Sequence, residues 1–213
     1  MSYKVKQILL PLLLGAIIIT LMILEKCNVF DGFDESITRF IVNHRGSKYN
    51  ALYYIVRILT ELGNFYVFIL LFILFGFYFK WDYRIWYMLI IGVITIGLNF
   101  SIKLIVSRPR PLEAYRWMKE TSASFPSSHS AMAMVVYLNL FIIGKFTIKN
   151  NNLRKIIMIL SIIFIIIVGL TRIILAVHYT TDVLGGFLVG ISTTLLGYYI
   201  YLKNKLNKIE GEN

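Results

Sequence analysis

The stretch IIMILSIIFIIIVGLTRIILAV, at residues Ile156–Val177, indicates which class of protein this is, because its only charged side chain is Arg172. A helix that crosses a bilayer needs about 20 consecutive apolar residues, so this stretch predicts a membrane span. The whole chain is 58% hydrophobic and 15% charged, whereas soluble domains carry about 45–50% apolar and about 25% charged residues. Its mean hydropathy is +0.72. These values argue against a water-soluble globular domain and exclude a disordered chain.

Five further stretches have a similar apolar character. The six predicted spans are Ile8–Leu24, Leu62–Phe79, Trp86–Ile102, Ser127–Ile148, Ile156–Val177 and Val183–Leu202. We therefore expect an all-α fold, an integral membrane bundle of six transmembrane helices that forms a single domain over residues 1–213. The first span has no small-residue cleavage site after it, so we interpret it as a retained span rather than a signal peptide. Between the first and second spans, residues 25–61 show apolar side chains at helical spacing with charges opposite. This pattern predicts one or two interfacial helices.

The charge distribution predicts the orientation. The chain has 22 Lys and Arg against 11 Asp and Glu, a net charge of +11. In a six-span chain the side that carries both termini has short, densely basic segments, which is typical of cytoplasmic loops. We therefore expect both termini in the cytoplasm and residues 25–61, 103–126 and 172–182 near the outer face. Because the positive charge is divided between two sides of a bilayer, nucleic-acid binding is disfavoured. The single cysteine, Cys27, excludes a disulfide scaffold.

Three polar stretches lie at the predicted outer ends of the last four spans, where charged groups are costly and usually functional. The first is KLIVSRPRP, residues 103–111. Lys103 ends an apolar helix, and the two prolines prevent the helix from continuing. Arg108 and Arg110 are then expected at the mouth of the bundle, where Arg and Lys suit phosphate oxygens. The alternative is basic side chains that merely extend from a helix end to the membrane surface.

The second stretch, SFPSSHS at residues 124–130, opens the fourth predicted span. Ser127 can cap this helix. The free backbone N–H groups and the helix dipole would then attract an anion. His129 would lie in the first turn, beside that anion. The alternative is an ordinary helix cap with an exposed histidine.

The third stretch is TRIILAVHYTTD, residues 171–182. If the helix continues, His178 and Asp182 share a face at i and i+4. A carboxylate bonded to one imidazole nitrogen leaves the other nitrogen free to react. Arg172 could share a ligand with His178 if the chain turns between them. The alternative is a buried ion pair that only links two helices.

Together the three stretches supply two histidines, one carboxylate, several cations and a helix N-terminus. They contain no acidic cluster and no His-x-x-His spacing, so we predict no metal site and no cofactor. The set fits metal-free phosphoryl transfer, in which cations and backbone N–H groups hold the phosphoryl oxygens. One histidine would attack phosphorus, and the other would protonate the leaving oxygen.

The three stretches resemble the tripartite signature of the type-2 phosphatidic acid phosphatase family, which includes membrane lipid phosphatases and soluble vanadium haloperoxidases. The family's Lys-x6-Arg-Pro motif matches Lys103 and Arg110 with the correct spacing. Its Pro-Ser-Gly-His motif matches residues 126–129, with Ser128 in place of glycine. Its Ser-Arg-x5-His-x3-Asp motif matches residues 171–182, with Thr171 in place of serine. The resemblance covers roughly residues 50–202.

The resemblance implies a role for each matching residue. His178 would be the nucleophile that becomes phosphohistidine, and Asp182 would orient it. His129 would be the general acid and later the base that activates water. The implied phosphate ligands are Lys103, Arg110, Ser127, Arg172 and the backbone N–H of Ser128.

The resemblance also implies a function, that of a metal-independent lipid phosphatase in a bacterial-type plasma membrane with its active site toward the extracytoplasmic face. Its substrate would be a phosphorylated membrane lipid with a phosphomonoester or pyrophosphate headgroup. Undecaprenyl pyrophosphate, phosphatidylglycerol phosphate and phosphatidic acid are all candidates, and no obligate protein partner is indicated. Two alternatives stay open, a lipid phosphotransferase that uses the same site and an anion or lipid transporter.

Overall fold

The computed structural model describes residues 3–81 and 83–211, and all regular secondary structure in this part of the chain is helical, without strands. The all-α prediction is confirmed. The eight helices are α1 (Tyr3–Lys26), α2 (Asp31–His44), α3 (Ala51–Thr60), α4 (Phe65–Tyr78), α5 (Tyr83–Val106), α6 (Ser128–Thr147), α7 (Asn151–Ile174) and α8 (Thr180–Gly211). Short 3₁₀ turns lie at Glu61–Gly63 and Glu113–Tyr115.

Polar caps set several of the helix starts. Ser127 caps α6, since its side chain accepts a hydrogen bond from the backbone N–H of Ser130, as the sequence predicts. Asn64 caps α4 in the same way through the N–H of Tyr66. The second span was expected to start at Leu62. Helix α4 begins three residues later, at Phe65, because Leu62 lies in the preceding 3₁₀ turn and the cap begins a new helix.

The membrane-type helices in the described part of the chain fall into two groups. Three are long and apolar enough to cross a bilayer singly: Ile85–Val106, Asn151–Ile174 and Thr180–Tyr199. Two bent pairs pass the same test only together: Leu12–Lys26 with Asp31–His44, bent by 82°, and Ala51–Gly63 with Phe65–Tyr78, bent by 53°. Counting each pair as one span gives up to five. A multi-pass membrane protein is supported, and the count of six spans stays a prediction. Residues 25–61 do form two helices, but their interfacial position is likewise a prediction.

Helix α6 lies at the centre of the bundle, between α7 and α8. Glycines of α8 permit the close approach to α6. A Cβ atom on Gly186 would lie 2.4 Å from the carbonyl oxygen of Ser127, and one on Gly190 would lie 2.6 Å from that of Ala131. Any larger residue would push the helices apart, so these positions require glycine. The close packing brings the N-terminal ends of α6 and α8 together.

The three polar stretches therefore meet at one end of the bundle, although two helix ends differ from expectation. Helix α5 continues to Val106, so Lys103 lies inside its last turn rather than at its end. Helix α7 stops at Ile174 and α8 begins at Thr180, so His178 lies in the connection between them. Of the two possibilities that the sequence left open, a continuous helix or a turn between Arg172 and His178, the structure shows the turn.

The connection between α7 and α8 reverses sharply. Ala176 adopts a left-handed backbone with a φ of 52°. The backbone N–H groups of Val177 and His178 then both bond to the carbonyl of Arg172, at 3.3 and 3.4 Å. The turn folds His178 back over the end of α7. It therefore lies beside Arg172 instead of almost two helical turns away.

Candidate active site

The contact between Arg110 and His178 defines the centre of the candidate site. Arg110 Nη1 lies 3.1 Å from His178 Nε2 and donates a 2.7 Å hydrogen bond to the carbonyl of Val177. A guanidinium has donors and no acceptor, so Nε2 must be the accepting, unprotonated nitrogen. The reactive lone pair of a neutral His178 therefore faces a cation suited to phosphate.

The other imidazole nitrogen faces Asp182. His178 Nδ1 lies 3.4 Å from Asp182 Oδ2, although the angle does not make a hydrogen bond. The predicted pairing thus forms across the helix start instead of within one helix. Both side chains are almost fully buried. A carboxylate at this side favours the tautomer with the proton on Nδ1.

Four hydrogen bonds hold the Asp182 side chain or the backbone beside it. Arg108 Nη1 donates to Oδ1 at 2.9 Å, and the backbone N–H of Tyr179 donates to Oδ2 at 2.8 Å. The hydroxyl of Ser124 also donates to Oδ2. In addition, the Asp182 carbonyl accepts from the N–H of Ser127 at 2.9 Å. Asp182 therefore joins the start of α6 to the start of α8.

Arg108 does not lie at the mouth of the bundle, contrary to expectation. Its guanidinium is buried among carboxylates, 2.9 Å from Glu25 Oε2 on α1 and 2.9 Å from Asp34 Oδ2 on α2. With Asp182, three buried acids contact this one side chain. Such a charge is stable inside a protein only when it is paired. Arg108 therefore positions neighbouring groups rather than binding phosphate.

Arg172 is fully buried at the end of α7, where two polar side chains bind it. Its Nη1 donates to the hydroxyl of Thr60 at 3.0 Å, and its Nη2 lies 2.5 Å from Glu120 Oε1. The second oxygen of Glu120 lies 3.7 Å from Arg110 Nη2. One loop carboxylate thus contacts both arginines that were predicted to bind phosphate, and it offsets only part of their positive charge.

Lys103 completes the group of cations. Its Nζ donates to the backbone carbonyls of Ala123 and Ser124 in the loop before α6, the latter at 3.3 Å. The side chain is buried. Lys103 and both arginines interact electrostatically with His178. The predicted cations Lys103, Arg110 and Arg172 therefore all lie close enough to His178 for their charges to act on it, and Arg110 contacts it directly.

His129 lies in the first turn of α6, as predicted, and is partly exposed. It interacts electrostatically with His178 and with Arg172, Arg110 and Lys103, so both histidines belong to one cluster. The 3₁₀ turn after α3 packs against its backbone, because a Cβ atom on Gly63 would lie 2.9 Å from the His129 carbonyl.

The two serines beside His129 differ in their surroundings. Ser127 is fully buried and its oxygen accepts from the Ser130 hydroxyl at 3.0 Å, so its side chain serves the helix cap. Ser128 is exposed, and its hydroxyl donates to Asn99 Oδ1 at 2.8 Å. A direct phosphate contact from the Ser127 side chain would require that cap to rearrange.

Burial, the largest influence, holds the pKa of His178 well below its usual range of about 6.5. The positive charges of Arg110, Arg172 and Lys103 act in the same direction. His178 is therefore neutral at physiological pH, as a nucleophile must be. In the described part of the chain, no group of three or more His, Cys, Asp and Glu side chains is arranged to hold a metal ion.

Comparison with known proteins identifies the family. Residues 83–206, more than half of the chain, match the PAP2 superfamily. The chain belongs to the PAP2 superfamily. The family resemblance inferred from the three motifs is confirmed.

A curated relative of this PAP2 chain and a similar solved structure both come from Bacillus subtilis. Phosphatidylglycerophosphatase B of strain 168 is 32% identical over 173 residues, which cover 77% of this chain and 81% of that protein. The crystal structure of a transmembrane PAP2-type phosphatidylglycerolphosphate phosphatase matches with a TM-score of 0.80 and 29% identity, over 91% of this chain and 96% of that one. Aquifex aeolicus LpxE shares the fold, with a TM-score of 0.63 and 24% identity over 78% of this chain and 94% of that one.

The PAP2 motif residues are thus brought to one place, but sequence reasoning missed several of their partners. Glu120 and Thr60, which bind Arg172, lie outside every motif, and nothing in their local sequence indicates this role. Ser124, which bonds to Asp182, stands at the edge of the second motif. Asp34 accepts from the backbone N–H of Thr181 at 3.1 Å, and only the long-range fold shows this.

Proposed function

We propose that this PAP2 chain is an integral membrane lipid phosphatase that hydrolyses a phosphomonoester or pyrophosphate headgroup without a metal ion. The observation that supports it most directly is the 3.1 Å contact between His178 Nε2 and Arg110 Nη1. It lies within a buried cluster that includes Lys103 and Arg172. A neutral imidazole next to cations suits attack on a phosphate whose charge the cations neutralise.

In the first step, Arg110, Lys103, Arg172 and the backbone N–H of Ser128 bind the oxygens of the reacting phosphoryl group. His178 Nε2 attacks phosphorus and forms a P–N bond, while the P–O bond to the lipid breaks. His129, in its protonated form, gives its proton to the leaving lipid oxygen. Asp182 stabilises the positive charge that develops on the His178 ring.

In the second step, water replaces the lipid at phosphorus. His129, now neutral, takes a proton from this water as its oxygen attacks. The P–N bond breaks, inorganic phosphate leaves, and His178 returns to its neutral form with Nδ1 toward Asp182. His129 therefore acts as the acid in the first step and as the base in the second, while His178 is the nucleophile and then the leaving group.

The substrate class rests on the membrane-type helices and on relatives named for phosphatidylglycerophosphate hydrolysis. Phosphatidylglycerol phosphate, phosphatidic acid and undecaprenyl pyrophosphate are the candidates. We place the protein in a bacterial-type plasma membrane with six spans and both termini in the cytoplasm. The site would then open near the extracytoplasmic face, where it acts on lipid without an obligate protein partner.

The test is phosphate release by the purified protein from a panel of these lipids in detergent micelles. We expect turnover that persists in EDTA and is inhibited by vanadate, which mimics the five-coordinate transition state. Loss of activity in EDTA with recovery in Mg²⁺ would contradict the metal-free mechanism. Absence of turnover on every lipid would contradict the phosphatase, and labelled phosphate found on a second lipid would instead indicate a phosphotransferase.

A further inference from the structure

A cavity of about 190 Å³ lies between α5 and α6, next to the candidate active site. Its polar lining residues are Thr95, Asn99, Lys103, Ser122 and Ser128. The other described lining residues are apolar, and Lys103 is the one charged side chain among them. Since about 10–15 Å³ is enough for one water, the cavity has room for a group the size of phosphate.

The cavity adjoins the reacting centre without including it, because His178 does not line it. Ser122 connects the cavity to the reacting centre, since its hydroxyl accepts a 3.0 Å hydrogen bond from Arg110 Nη2. Arg110 in turn contacts His178. Ser128, next to His129 in the chain, lines the cavity as well. In an in-line displacement the leaving group lies opposite the nucleophile, on the side of the general acid. Ser128 lines the cavity and precedes His129 in the chain, so we infer that the leaving group faces this cavity.

The hydrogen bonding of Asn99 indicates which chemical group the cavity binds. It is 3% exposed, and its Nδ2 atom has no hydrogen-bond partner in the structure. Its other side-chain atom, Oδ1, accepts from the Ser128 hydroxyl at 2.8 Å. An unpaired buried donor is costly, so a ligand that supplies an oxygen acceptor there gains affinity. Ser128 stands where the family motif has glycine, so this chain's departure from the motif orients the Asn99 amide.

We propose that this cavity is a subsite for a second phosphate group of the substrate, the one that stays with the lipid after His178 takes the first. The inference rests on the proposed lipid phosphatase function and extends it to substrate selection. Lys103, the Asn99 amide and the N-terminal end of α6 all favour an anion. The second phosphate is either bonded directly to the first, as in a diphosphate, or separated from it by glycerol, as in phosphatidylglycerol phosphate.

The decisive comparison uses two lipids that differ by one phosphate, diacylglycerol pyrophosphate and phosphatidic acid, in the same mixed micelles. We expect the wild type to favour the pyrophosphate in kcat/KM. Asn99→Leu removes the amide donor and should lower this preference about tenfold, the effect of one hydrogen bond to a charged group. Asn99→Asp keeps the acceptor for Ser128 but places a negative charge in the subsite, so it should lower the preference further.

The matched control is Ser101→Ala on the same helix. Ser101 is exposed and its hydroxyl bonds within its own helix, to the Gly97 carbonyl at 2.9 Å. We expect this variant to keep both the activity and the preference. A second comparison uses phosphatidylglycerol phosphate against phosphatidic acid, with the same protein variants. A fall in the preference for this lipid over phosphatidic acid would assign the glycerol-spaced phosphate to the subsite, and a fall for the pyrophosphate would assign the adjacent one.

An unchanged preference in both folded Asn99 variants, or an equal loss on all lipids, would overturn the subsite. Retained hydrolysis of phosphatidic acid would leave the phosphatase function standing. Should the variants not fold, inhibition of the wild type by methylenediphosphonate and by methylphosphonate tests the same point. Competitive inhibition at least tenfold tighter by the diphosphonate is expected, and equal inhibition would overturn the proposal.

Discussion

Arg108 Nη1 lies 2.9 Å from Asp182 Oδ1, inside the protein and 74 residues away along the chain. The same guanidinium contacts Glu25 of α1 and Asp34 of α2. The carboxylate beside the candidate nucleophile is therefore held by an arginine that also connects the first two helices to the rest of the bundle. Stability and catalytic geometry depend on this same residue.

We predict that Arg108→Gln destabilises the protein by about 3–5 kcal/mol, because it leaves buried carboxylates without their counter-ion. Thermal unfolding in detergent measures this loss. Arg108→Lys keeps the charge but not the planar donor geometry, so it should unfold less readily than the glutamine variant yet show a lower kcat. Arg39→Gln is the control, since the Arg39–Glu35 ion pair is exposed and such pairs contribute little. Equal stability of Arg108→Gln and wild type would contradict the assigned role.

Alanine substitutions of the two histidines should block different steps of the reaction. His178→Ala removes the proposed nucleophile, so we expect a folded protein without turnover and without a labelled phosphoenzyme. His129→Ala removes the proposed acid and base. With a substrate whose leaving group needs no protonation, it should form phosphohistidine and hydrolyse it slowly. Labelled phosphate on the protein, stable in alkali and lost in acid, is the measurement. Turnover by His178→Ala would reassign the nucleophile.

Glu120 should compete with phosphate for the arginines. It lies 2.5 Å from Arg172 and 3.7 Å from Arg110, so an anionic substrate must displace or share these contacts. We predict that Glu120→Gln binds vanadate several-fold more tightly while the protein without ligand unfolds at a lower temperature, because Arg172 loses its partner. Vanadate should restore the unfolding temperature.

Glu113→Gln is the matched control for this experiment, since Glu113 is an exposed acid of the same loop. It should alter neither vanadate affinity nor stability. Weaker vanadate binding by Glu120→Gln would show that Glu120 assists the anion instead of competing with it.

The pH profile should reflect the lowered pKa of His178. The neutral form is the nucleophile, and a lowered pKa keeps it neutral to more acidic pH. The acid limb of kcat/KM that belongs to His178 should therefore lie below about pH 6.5, the pKa of an ordinary histidine. The alkaline limb of kcat, which reports the enzyme–substrate complex, should reflect loss of the His129 proton, because the bound phosphate anion stabilises the imidazolium; the kcat profile is then bell-shaped. A flat profile between about pH 5 and 9 would contradict a mechanism with two histidines.

The sequence by itself determined the membrane class, the all-α fold, the family and the motif residues. Hydropathy and motif spacing are local properties. A stretch such as Ile156–Val177, or the spacing of Lys103 and Arg110, can therefore be recognised from the sequence alone. The same holds for the Ser127 cap, which depends only on residues within one turn. Local signals were less reliable at helix ends. They left open whether the chain turns between Arg172 and His178, which the structure resolves with the turn at Ala176, and they missed the cap at Asn64.

Only the tertiary structure decided what each polar side chain faces. Arg108 and Arg110 are two residues apart in the same extended segment, yet one contacts buried carboxylates and the other contacts His178 Nε2. The partners of Arg172 lie 52 and 112 residues away. Buried charges must find counter-charges and donors wherever the packed helices bring them. No local pattern encodes those distances, because the packing of separate helices creates them, as α7 against α3 does for Arg172 and Thr60.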